Sequence, residues 1–202
     1  MSQPIYKLWA FKSAAAWYQA SESEKSQLIS GLDEAREKTG NKMLISGDPS
    51  WSSEQYSHFG IDEFPHFASA REFSTLLNDL QMPRYVNSMS LLGSAMQPPE
   101  ELNAANQILK LFMFRPTAAL HQLSRADQDS MMTKLGEAIT TVGGQGLLYC
   151  NSSWASERWQ IFGLEAFPDL EAVQKLAEIH TELNWYQYID GKTMLGTLFP
   201  QD

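Results

Sequence analysis

"FGIDEFP" at residues 59–65 returns as "FGLEAFP" at residues 162–168. The spacing between the two is 103 residues, and the same offset extends far beyond them. Residues 7–93 fall on 110–196 without a gap, with 24 identities over the 88 positions from Tyr6 to Gly93. Unrelated sequences of ordinary composition agree at roughly 6% of positions, or about five here. The identities include Leu8/Leu111, Phe11/Phe114, Ser21/Ser124, Gly40/Gly143, Trp51/Trp154, Glu54/Glu157, Tyr85/Tyr188 and Gly93/Gly196. The chain is therefore a tandem duplication, with units at 4–94 and 107–198. Residues 95–106, with Pro98-Pro99, read as a linker.

Each unit carries the same succession of patterns. "YKLWAF" and "LKLFMF" read as first strands. Ser21-x-x-Glu24 and Ser124-x-x-Asp127 read as helix starts, because a serine hydroxyl can cap backbone N–H groups that have no partner inside the helix. Gly40 and Gly143 stop those helices. "KMLISG" and "QGLLYC" are second strands, "EQYSHFGI" and "ERWQIFGL" third strands. A second helix follows Pro65 or Pro168, each proline being expected at the first helical position. "YVNSMSLL" and "YQYIDGKTML" close the units as last strands. On this reading FG-x-x-x-FP is a strand-to-helix junction, and it recurs because the unit was copied.

The order βαββαβ is that of the ferredoxin-like split unit, an α+β class. The strands are apolar on both sides, so the face turned away from the helices also needs cover, and two sheets packed face to face supply it. Element order, duplication and the stretches "WYQASESEKSQL", W-x-x-E and FG-x-x-x-FP together resemble the dimeric α/β-barrel superfamily. The resemblance implies two ferredoxin-like units closing sheet to sheet as an intrachain α/β barrel. It also implies a range of activities: cofactor-free monooxygenases, isomerases and lactone-forming enzymes, and haem enzymes.

Composition narrows the partners. Fifteen Lys and Arg stand against 24 Asp and Glu, a net charge of -9, so a nucleic-acid footprint is not expected. No apolar run reaches the roughly 20 residues of a membrane span, and the first residues have no signal-peptide core. The single cysteine, Cys150, excludes an internal disulfide and suits a cytoplasmic setting. A homodimer is compatible with the pattern, and no protein metal site is expected.

No phosphate loop, dinucleotide fingerprint or metalloprotease signature is present. Four sets of side chains are candidates. His58 replaces the Ile161 of the other unit, and an imidazole beside Tyr56 suits a general base, or a histidine simply satisfied in the core. Tyr85 and Asn87 are placed to steady an oxyanion, so His58, Tyr85 and Asn87 form the candidate catalytic set. Tyr56, Tyr188, Asp190 and Trp159 are the candidate ligand contacts, with Asp190 and Lys192 alternatively an ion pair. Trp51 and Trp154 read as loop anchors. His180 replaces Leu77 on the apolar stripe of a helix, and haem members of the superfamily are similar in placing an axial histidine on a helix beneath the sheet. The leading expectation is a small-molecule binder or cofactor-free oxygenase or isomerase taking a hydrophobic or aromatic metabolite. The alternatives are a non-catalytic scaffold and a haem-binding protein.

Overall fold

The computed structural model describes residues 3–103 and 106–199, so linker residues 104–105 and the first two residues lie outside it. The protein is α+β and divides into two units, residues up to Ser94 together with Phe199, and Ala95–Leu198. The first unit runs β1 (Ile5–Ser13), α1 (Ala15–Gln19), α2 (Glu22–Thr39), β2 (Lys42–Asp48), β3 (His58–Phe64), α3 (Phe67–Asp79), α4 (Met82–Tyr85) and β4 (Val86–Ala95). The second repeats it as β5 (Ile108–Pro116), α5 (Ala118–His121), α6 (Arg125–Thr141), β6 (Gln145–Asn151), β7 (Ile161–Phe167), α7 (Leu170–Glu182), α8 (Trp185–Tyr188) and β8 (Ile189–Leu198). Within each unit the strands are antiparallel in the ferredoxin-like order, β4-β1-β3-β2 and β8-β5-β7-β6.

Local chemistry fixes the helix ends. The Ser21 hydroxyl accepts from Glu24 N while the Glu24 carboxylate accepts from Ser21 N, a complete capping box. Ser124 accepts from Asp127 N. Gly40 caps α2 at φ 65°, in the left-handed region glycine enters without strain.

Three boundaries differ from the sequence reading. The third strands begin at His58 and Ile161, not at Glu54 and Glu157. The cause is turn chemistry: Asp48 accepts from Ser50 N, and the Ser53 hydroxyl accepts from Gln55 N and Tyr56 N. Asn151 and Ser156 do the same in the second unit. Second, Tyr85 and Tyr188 end the short helices α4 and α8 instead of starting strands. Third, α3 and α7 open at Phe67 and Leu170, with His66 and Asp169 as their caps, so each proline precedes the cap. Pro65 and Pro168 instead lie against Gly40 and Gly143, whose Cβ positions would sit 3.4 and 3.6 Å from the proline rings. The glycine of the repeated stretch has its own duty. A Cβ at Gly60 would meet the Trp9 ring at 2.3 Å, and one at Gly163 the Phe112 ring and the Leu148 carbonyl at 2.5 Å. FG-x-x-x-FP thus combines a bare strand position under an aromatic ring with a proline seated on a helix stop.

Each sheet turns one face to its helices. Phe167 packs with Ile108, Ala138, Ile139, Ala172 and Leu176. Strand alternation then puts Glu165, Gly163 and Ile161 on that face, opposite Lys110, Phe112 and Phe114. Leu109, Leu111 and Met113, on the other face of β5, are fully buried as well. The linker belongs structurally to the second unit: Met96 N donates to Tyr149 O and Glu100 N to Leu147 O. The Gln145 side chain clasps it from the other side, donating to Glu101 O and accepting from Asn103 N.

Candidate functional site

The second unit has a cavity of about 910 Å³, open to solvent on one side, between the helix-facing surface of its sheet and helices α6, α7 and α8. Its walls are largely apolar, with Phe112 and Phe114 from β5, Leu135 and Ile139 from α6, and Val173 and Leu176 from α7. Linker residues Met96, Gln97 and Glu100 complete one side.

His180 is the chemically distinctive wall residue. Its ring has Trp185 at 6.0 Å and Tyr186 at 6.2 Å between centroids, and no hydrogen bond to any described residue. Burial, helped by the nearby Lys110 cation, pulls its pKa down to about 4. At neutral pH it is an uncharged imidazole with a lone pair available, the form that binds metals.

Three polar groups meet on the sheet wall. Lys110 Nζ lies 2.8 Å from Glu165 Oε2, and the Tyr149 hydroxyl donates to Glu165 Oε1 at 3.4 Å. Burial, with the Glu165 carboxylate, holds the Tyr149 phenol protonated far above its ordinary range. Sequence reasoning did not single out this trio. A signal was present, because a basic and an acidic residue recur at the offset, Lys7/Lys110 and Asp62/Glu165, inside strands that are otherwise apolar.

The matching positions of the first unit carry bulk. By the 103-residue offset Trp9 stands for Phe112, Arg36 for Ile139, Asn41 for Gly144, Met43 for Gly146 and Leu77 for His180. Trp9 lies over Gly60, and Lys7, Arg36 and Asn41 gather round Asp62. Burial raises the Asp62 pKa despite those neighbours.

The other sequence candidates are dispersed. His58 is on the helix-facing surface of its sheet, stacked between Phe11 at 4.6 Å and Phe199 at 5.0 Å, with Nδ1 2.9 Å from the Ser57 hydroxyl. Burial lowers its pKa, partly offset by Asp48. Tyr56 is buried in the turn before β3, where desolvation raises its phenol. Asn87 pairs with Lys12 and His58 with Phe11, so Asn87 points to the opposite side of the sheet and is exposed. Tyr85 is buried under the Arg84 guanidinium, 5.6 Å from its ring. Tyr188 packs against the cluster of Met131, Leu135 and Trp185. Asp190 is exposed and paired with Arg115 at 2.8 Å. Trp159 precedes β7, covered by the Arg158 guanidinium at 5.0 Å. Trp51 and Trp154 stand about half exposed, at 46% and 49%. Of the named candidates, His180 borders the cavity, while the His58, Tyr85 and Asn87 side chains are not brought together.

No family model matches the sequence, and no curated protein matches it. Solved structures do. The chain is similar to chlorite dismutase from Candidatus Nitrospira defluvii in complex with imidazole, with a TM-score of 0.81, 12% identity, and coverage of 98% of this chain and 92% of that one. A mutant of the same enzyme in complex with cyanide gives 0.76 at 15% identity, covering 98% and 92%. A further protein, provisionally named a chlorite dismutase, gives 0.74 at 11% identity, covering 98% and 96%. At such identities the likeness shows the fold alone. No helix among the described residues is long and apolar enough to cross a membrane.

Proposed function

We propose that the second unit binds haem, or a similarly flat metal-bearing macrocycle, with His180 as the protein's axial ligand. The observation carrying this reading is a neutral imidazole without hydrogen-bond partners on the wall of a largely apolar cavity of about 910 Å³. That volume suits a bulky ligand, small-molecule pockets spanning roughly 300–1,000 Å³. Among the described residues no three His, Cys, Asp or Glu side chains cluster as a metal site. A haem iron needs no such cluster, since the macrocycle supplies its equatorial ligands and the protein one axial donor.

The chain's own contributions follow from the geometry. His180 offers the donor nitrogen, and Trp185 and Tyr186 limit its ring orientations. Leu135, Ile139, Val173 and Leu176 keep water from the ligand faces. Lys110 and Glu165 neutralise one another, so the wall holds no uncompensated buried charge. Bound haem would supply one-electron and oxygen-species chemistry. The fold likeness to chlorite dismutases, one of them complexed with imidazole and one with cyanide, supports the reading.

The test is a hemin titration of the full chain followed by its Soret absorption. Saturable one-to-one binding that His180→Ala weakens, with a changed spectrum, supports the proposal. An unaltered spectrum and affinity in that variant overturn it. The cofactor-free reading around His58 stands second, because His58 is held between two rings and apart from Asn87. A cytoplasmic setting and pairing of two chains belong to the same proposal, with sedimentation testing the pairing.

A further inference from the structure

Gly136 lies inside α6, away from both caps, where glycine is the poorest ordinary helix former. Neither usual reason for glycine applies to it. Its φ is outside the left-handed region, unlike Gly40 and Gly143. A Cβ built on it would meet nothing within 4 Å, whereas one at Gly144 would meet the Phe167 ring at 2.5 Å and one at Gly146 the Tyr149 hydroxyl at 2.5 Å. Gly136 instead lies on the exposed rim of the cavity with Met132 and Thr140, on the helix face that also carries the buried Leu135 and Ile139. Across from it, α7 presents Ala177 and His180 to the same space. The first unit has Asp33 and Ser74 at the positions of Gly136 and Ala177.

We propose that Gly136 is the specificity-determining position of this cavity: the bare α6 backbone leaves the width that a broad, flat, apolar ligand needs. The inference rests on the reading of the cavity as a ligand site. It adds which residue sets the ligand's breadth, and it does not depend on a metal in the ligand. Helix stability argues for a side chain at this position and the open space in front of it admits one, so only a ligand occupying that space argues against it.

The two demands separate experimentally. The full-length parent, Gly136→Ala, Gly136→Phe and His180→Ala are titrated with hemin and with metal-free protoporphyrin IX, and their ligand-free melting temperatures are measured. Gly136→Ala melts above the parent, yet binds both macrocycles more weakly. Gly136→Phe, which fills the space, loses about tenfold or more in affinity for both. His180→Ala loses affinity for hemin and keeps it for protoporphyrin. Parent-like protoporphyrin binding by Gly136→Phe overturns this inference and leaves the role of His180 standing. Hemin binding indifferent to His180→Ala, with protoporphyrin lost in Gly136→Phe, overturns the axial-ligand reading and leaves this one standing. A parent that takes up neither macrocycle overturns both. If Gly136→Phe does not fold, Gly136→Ala decides, because a more stable protein with unchanged protoporphyrin affinity contradicts the proposal.

Discussion

Lys110 and Glu165 face each other across β5 and β7 at 2.8 Å, with side chains only 13% and 8% exposed. Removing one partner of such a pair leaves a charge in a poorly solvated wall. Lys110→Met alone or Glu165→Leu alone is expected to cost about 3–5 kcal/mol, and the double variant clearly less than the sum. Urea denaturation of the four proteins checks this. Strictly additive losses would mean that the two groups are not coupled.

Acid should weaken the ligand-free protein through His180. A free imidazole titrates at 6.5, and in the folded chain burial holds this one down to about 4. Between those values the unfolded chain binds the extra proton, so its contribution is complete above pH 6.5 and falls away as pH drops toward 4. Below that it is constant. Melting temperatures across this window should fall less steeply for His180→Leu, which installs the side chain found at Leu77. Parallel profiles for the two proteins would contradict the assignment.

Gly163 leaves no room for a side chain, since its Cβ would sit 2.5 Å from both the Leu148 carbonyl and the Phe112 ring. Gly163→Val is expected to destabilise by about 1–3 kcal/mol or more, as overpacking of a filled site does. Chemical denaturation reads the loss. A variant as stable as the parent would show that the strands part easily there.

Cys150 is fully buried, and desolvation pushes its thiol up to about 12. It should react with a thiol-specific disulfide reagent only as fast as the chain opens. Labelling rates should therefore rise steeply with urea, and rapid labelling in buffer would contradict the burial.

The fold was legible because the offset turns one ambiguous sequence into two readings of the same element order. Strands β1 and β5 and the caps at Ser21 and Ser124 follow from pattern and side-chain chemistry that operate locally. The starts of β3 and β4 did not follow. Ser53 and Ser156 divert the backbone into turns ahead of β3 and β7, and Gln81 and Asn184 enter the left-handed region at φ 57° and 53° to begin α4 and α8. His180 stood out as a polar residue on an apolar stripe. The cavity beside it did not, because it lies between a sheet and helices that come together only in the fold, and unfilled volume has no periodicity to read. His58 and Asn87 look like neighbours only until the register puts them on opposite faces.

The linker clasped by Gln145 matters to anyone who would divide this chain. The duplicated pattern resumes at residue 107, which invites a cut just before it. A fragment beginning there would strip the Leu147 and Tyr149 carbonyls of the amides of Glu100 and Met96, and would remove one side of the cavity. A fragment beginning at Ala95 keeps them. The place where the repeated sequence pattern resumes and the place where the second compact unit begins are different, separated by the length of the linker.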